Sequence, residues 1–134
     1  MIPYDKLDKD IEPLVRVLNS TGCLATTGSC IGHNVDPVAE VLFKVTDLRK
    51  WKKVMLRLLH LSQSIDYANI DVFQWHRLSA EGDYMVDWKL KLVIHPINHE
   101  FKYDSARLLE LKKTIISQII QELGVADPNP PPLS

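Results

Sequence analysis

The sequence predicts an α+β fold, a two-layer sandwich with three helices on one face of a four-stranded, mostly antiparallel sheet, in the order α-β-β-α-β-β-α. Three observations lead there. Strand-like alternation occurs in two pairs of segments, an amphipathic helix precedes each pair, and a third helix near the end carries an apolar stripe wide enough to need a whole sheet beneath it. With 134 residues, 46% hydrophobic and 25% charged, the chain has the length and composition of one domain that buries its own core.

The first helix is expected from Asp10 as N-cap, with Pro13 in the tolerated first turn. Ile11, Leu14, Val15 and Leu18 follow the i, i+3, i+4, i+7 spacing of a buried stripe, and Gly22 ends the helix. Residues 23–27 read as a short strand, and Ala39, Val41, Phe43 and Val45 alternate as a second, so "TTGSCIGHN" at 26–34 is expected to be the connecting loop. Asp47 opens a second helix that ends near Gln63. Leu48, Trp51, Met55, Leu58 and Leu59 line one side, and Arg49, Lys50, Lys52, Lys53 and Arg57 occupy the others as a solvated basic face.

A third strand near 70–78 and a fourth at 84–95 form a hairpin. Tyr84, Val86, Trp88, Leu90, Leu92 and Ile94 fall on one face of the fourth strand, and Asp87, Lys89, Lys91 and His95 on the other. Glu81-Gly82 as a two-residue turn sets Trp75 opposite Trp88 and Phe73 opposite Leu90 on the core side, with His76 opposite Asp87 and Gln74 opposite Lys89 on the wet side. The last helix begins at Asp104 and presents Leu108, Leu111, Ile115, Ile116, Ile119, Ile120 and Leu123 before Gly124. Residues 1–124 thus read as a single domain of two similar halves plus a final helix, and 125–134 as a flexible, proline-rich tail.

Sixteen basic and seventeen acidic residues give a net charge of −1, which supplies no global attraction to nucleic acid or to an anionic membrane. No apolar run approaches a membrane span and the start lacks the pattern of a signal peptide, so a cytoplasmic protein with no membrane partner is expected. Cys23 and Cys30 stand too far apart along one extended segment for a disulfide, in keeping with reduced thiols.

The chemistry-bearing residues concentrate in the loop. Thr26, Thr27, Gly28, Ser29, Gly32 and Asn34 combine hydroxyl donors with glycines able to turn successive N–H groups toward an anion, although a plain polar connection has the same pattern. Cys30 and His33 form a Cys-x-x-His pair, the candidate catalytic thiol and its acid/base partner, against the plainer reading of a buried, inert cysteine beside a surface histidine. The same pair supports an alternative zinc-binding domain completed by Cys23, His95, His99 or a carboxylate; in the leading reading no metal is assigned. His95 and His99 flank "HPINH" and join the ligand-binding set if the two hairpins lie side by side. The wet sheet face, with Gln74, His76, Asp87, Lys89 and Lys91, keeps RNA among the partners, but Trp75 and Trp88 are expected in the core and leave it without a stacking platform.

"DIEPLVRVLNSTGCLATTGSCIGH" resembles the N-terminal signature of the tRNA wybutosine-synthesis methyltransferase family through Asn19, Thr26, Thr27, Ser29, Cys30 and Gly32. Gly28 and Ile31 stand at that family's serines and His33 at its arginine. The resemblance implies S-adenosylmethionine-dependent modification of a tRNA guanosine, with the loop touching substrate or cofactor; the residues themselves name no cofactor. The chain is also similar to small bacterial and phage proteins with a Ser-Cys-x-Gly-His loop. The resulting expectation is a ligand-binding protein of unassigned activity. The alternative from another class is a non-enzymatic interaction module, a homodimer included, that works through the basic second helix or an open sheet edge.

Overall fold

The computed structural model describes residues 8–31, 37–95 and 105–124. Along them run α1 (Glu12–Ser20), β1 (Leu24–Cys30), β2 (Val38–Val45), α2 (Leu48–Gln63), β3 (Ala68–Leu78), β4 (Tyr84–Ile94) and α3 (Ser105–Gly124). The α+β class and the element order are as expected. The strands form one antiparallel sheet in the order β1-β2-β4-β3, so two hairpins meet through their second strands. α1 lies against β1, α2 against β3, and α3 against β4 while touching both other helices.

Local chemistry explains the helix ends. α1 starts at Glu12, later than the expected Asp10, because the Asp8 carbonyl accepts from the N–H groups of both Ile11 and Glu12 and makes a turn first. Gly22 stops it in a left-handed conformation with φ 76°. Asp47 caps α2 by accepting from the Lys50 N–H at 3.1 Å. The inward stripe of α2 is Trp51, Val54, Met55, Leu58 and Leu61, while Leu48 and Leu59 are exposed, contrary to expectation.

The core sits between the layers. Leu14 and Leu18 of α1, Val41 and Phe43 of β2, Leu90 and Leu92 of β4, and Ile115 and Ile119 of α3 are fully buried. Trp51 places its edge on Phe43 at 4.8 Å and on Trp88 at 5.6 Å, while Phe43 and Trp88 stack at 6.5 Å across the β2–β4 pair. Such aromatic contacts add about 0.5–1.5 kcal/mol each beyond burial of their area.

Two further expectations fail, both in strands. β1 does not stop at Thr27; it continues through Gly28, Ser29 and Cys30, with a bulge between Thr26 and Gly28. Residues 26–30 of the expected loop are therefore strand, and Gly28 lies outside the left-handed region. The β3–β4 register also differs by one residue. The turn closes at Ser79 and Asp83, where the Ser79 N–H donates to Asp83 O at 2.8 Å and the Gly82 N–H to Ser79 O at 2.9 Å. Gly82, at φ 83°, takes the left-handed position of a three-residue loop, not of the two-residue turn expected at Glu81-Gly82.

That extra residue turns β3 over. Phe73 now opposes Lys89 and Trp75 opposes Asp87 on the outer face, while Gln74 opposes Trp88 and His76 opposes Val86. Trp75 is thus not a core residue, and His76 meets Tyr84, with which it hydrogen-bonds, not Asp87. In the expected register Asp71 would enter the helix-covered face while Ile70 and Val72 turned to water, and burying a charge in place of apolar side chains is the costlier arrangement.

Asn19 at the end of α1 locks the helix to β1. Its Nδ2 donates to Thr26 Oγ1 at 3.0 Å and its Oδ1 accepts from the Thr26 N–H at 3.1 Å, with Thr26 itself buried. Asn19→Ala leaves both Thr26 groups without these partners and should cost about 2–3 kcal/mol. Thermal unfolding followed by circular dichroism should show a midpoint lowered by about 5–12 °C; a change within 1–2 °C would show that the pair is dispensable.

Candidate functional site

The helices cover one face of the sheet and leave the other open, and the strand pairings lay out that outer face in rows. Cys30, Glu40, Lys91 and Asp71 form one row across β1, β2, β4 and β3. Gly28, Leu42, Lys89 and Phe73 form the next. Beyond them Ala25 opposes Lys44 and Trp75 opposes Asp87. Side chains in one row are the natural contact partners on that face.

Electrostatics divide the face. Asp87 is buried at 5% exposure, held by Arg77 Nε at 2.6 Å and Lys44 Nζ at 3.6 Å. The Arg77 guanidinium also sits 5.7 Å from the Trp75 ring centroid, a cation–π contact between two side chains of the same strand face. Glu40 pairs with Lys89 at 3.5 Å. Lys91 and Asp71, in the same row, make no ion pair among the described residues. Phe73 and Trp75 are 47% and 50% exposed, so the face has the aromatic surface that the sequence did not lead us to expect.

Two shallow depressions share Lys91. One of about 260 Å³ is lined by Cys30, Val38, Glu40 and Lys91, and one of about 320 Å³ by Phe73, Gln74, Trp75, Lys89 and Lys91. The predicted site residues are distributed around the first. Thr26 faces the core, engaged by Asn19, and Thr27 is exposed at the bulge. Ser29 also points inward, its Oγ buried without a hydrogen-bond partner among the described residues. Cys30 is exposed on the outer face. Gly32, His33, Asn34 and His99 lie outside the described residues.

His95 is exposed at the end of β4, its N–H donating to Tyr67 O at 2.7 Å. It lies four residues beyond the row that holds Cys30, or about 13 Å along the strand, so these two do not share a pocket. Cys23, offered as a further zinc ligand, is buried at the opposite end of β1 from Cys30. Among the described residues no three His, Cys, Asp or Glu side chains gather into a metal-sized group. Sequence reasoning also missed Lys112, buried on α3, whose Nζ donates to Ile31 O at 2.7 Å and ties that helix to the end of β1.

The two thiols differ in exposure. Burial raises the pKa of Cys23 above its ordinary value of 9.0, a hydrogen bond with the Thr21 hydroxyl opposing the shift. Its contribution to stability is therefore complete below pH 9.0 and is lost as pH climbs through the raised value. In native protein a thiol reagent should titrate Cys30 alone, with Cys23 reacting only after denaturation. Cys30→Ser should abolish the native reaction and Cys23→Ser should spare it; equal reactivity of both thiols would contradict their placement.

No helix among the described residues is long and apolar enough to cross a membrane. No curated protein and no solved structure matches the chain, and the methyltransferase resemblance finds no counterpart in these comparisons. A family model does match, over residues 1–126, and its description is YoqC prophage protein. That agrees with the similarity to phage proteins and covers nearly the whole sequence: the chain belongs to the YoqC prophage protein family.

Proposed function

We propose that this protein is a non-enzymatic interaction module that accepts an extended strand of a protein partner along the outer edge of β3. One contrast carries the reading. The two edge strands are treated differently: β1 is seven residues long and broken by a bulge, whereas β3 runs eleven residues with an unbroken register and no proline. Edge strands left long and regular are templates for pairing unless something blunts them.

The backbone groups along that edge can be assigned. Tyr67 and Ser79, both odd-numbered, exchange backbone hydrogen bonds with β4-side residues at the two ends of the hairpin. Odd residues of β3 therefore face β4, and even residues turn their N–H and C=O groups outward. Ser62 Oγ accepts from the Ile70 N–H at 2.8 Å, which closes that end. Val72, Gln74 and His76 offer theirs to a partner, beside the exposed rings of Phe73 and Trp75, and strand addition uses main-chain bonds for affinity and alternate side chains for specificity.

A panel of labelled extended peptides with alternating apolar and polar residues, read by fluorescence anisotropy, tests this. Gln74→Pro removes an outward N–H without touching the ladder to β4, a substitution that edge strands tolerate. Peptides that bind the native protein should lose at least about tenfold in affinity with this variant. Binders indifferent to Gln74→Pro, or no binders to a chain that stays monomeric, would remove the reading.

A second reading keeps the ligand site of Thr26 to Asn34 with Cys30 and His33 as its chemistry, tRNA modification being its finest form. The depression that exposed Cys30 lines together with Glu40 and Lys91 supports it. Calorimetric titration with S-adenosylmethionine is the direct probe: binding that Cys30→Ala weakens would favour it, and the absence of any heat would discard the methyl-donor version.

A further inference from the structure

We infer that the partner strand is β3 of a second copy of this chain, paired antiparallel about a twofold axis through Gln74. The inference rests on the interaction-module reading and names its partner. A strand pairs with itself about such an axis only if its side chains are complementary to their own reversed order. With Gln74 opposite Gln74, Phe73 of each copy faces Trp75 of the other, and Asp71 faces Arg77.

Each of these matches a need left open in the single chain. Phe73, Asp71, Trp75 and Arg77 all lie on the outer face, so the four meet in one layer. Phe73 and Trp75 are half exposed, and Asp71 has no ion pair among the described residues. Arg77 engages Asp87 through Nε, and a guanidinium has further N–H donors with which to reach a second carboxylate. Shifting the axis to Val72 or His76 sets Asp71 against Phe73 or Trp75 against Arg77, and the charge pairing is lost.

The backbone agrees independently. Residues that turn outward must form the hydrogen-bonded pairs of the new ladder, and the Gln74 axis pairs Val72 with His76 and Gln74 with itself, all of them outward residues. Phe73–Trp75 then falls in the non-hydrogen-bonded position, where side chains of paired strands approach most closely. A twofold axis perpendicular to the sheet also keeps the helices of both copies on one side. There α2, which lies against β3, leaves Leu56 and Leu59 exposed one turn apart on the same layer.

Light scattering on the full chain over a wide concentration range is the first measurement. A dimer of twice 15.3 kDa is expected, with Gln74→Pro reducing it to a folded monomer of unchanged circular dichroism. Disulfide trapping in a Cys30→Ser background then reads the register. Gln74→Cys lies on the axis, where paired Cα atoms stand about 5.5 Å apart and an S–S bond is permitted. Asp71→Cys would stand about 20 Å from its counterpart. Covalent dimer from the first variant and none from the second is the expected result; the reverse, or a dimer insensitive to Gln74→Pro, overturns the assignment. A native chain that stays monomeric while still binding peptides through Gln74 would overturn self-pairing and leave the edge reading standing. If Gln74→Pro fails to fold, the two trapping variants decide alone.

Discussion

Everything in this molecule hangs on the seam between β2 and β4. Each αββ unit has a two-stranded ribbon and one helix, too little to hold itself together in water. Pairing Val38–Phe43 with Trp88–Val93 joins the two ribbons, and the Phe43–Trp88 stack crosses that junction on the helix side. Trp51 then presses α2 onto both rings, and α3 closes over β4 against α1 and α2. Because the second strands meet in the middle, β1 and β3 are left as edges. The open edge on which the functional reading turns is thus a consequence of what the core requires.

Much of this was legible in the residues. The clean alternation of β4, the four-residue rhythm of α1 and α3, and Gly22, Asp47 and Gly124 at helix boundaries are local signals that tertiary packing did not override. Two things were not legible. Thr27, Gly28, Ser29 and Cys30 have turn-like composition, yet an edge strand with one face in water accommodates Thr27 and Cys30 exposed, and only Ser29 turns a hydroxyl inward. The β3 register depended on whether the Ser79–Asp83 turn held two residues or three, and the composition of the turn permits either. The even-numbered run Ala68, Ile70 and Val72 was the available signal for the correct face.

The candidate site was legible only in part. Cys30 could be singled out from the sequence but not its exposure, and Lys91, which lines the same depression, comes from a strand about sixty residues away that no local spacing announces. The Asn19–Thr26 lock lies within the very segment that suggested a ligand loop, and it assigns two of those residues to holding α1 on the sheet. Asp87 has a similar double character. Buried between Arg77 and Lys44, it reads like a functional carboxylate, yet a one-residue slip of β3 would take Arg77 off its face, so the ion pair specifies register.

Gly82 and its two neighbours at the hairpin tip touch nothing in the core, and surface turns of this kind are where insertions and deletions are tolerated most readily. Here the tolerance would be deceptive. Losing one codon from this turn would invert every side chain of the β3 edge relative to β4, exchanging the outward Phe73 and Trp75 for Val72 and Gln74 without altering a single residue of the strand. The length of this turn thus bears on which side chains the β3 edge shows to water, and it acts in whole steps where point substitution acts by degrees.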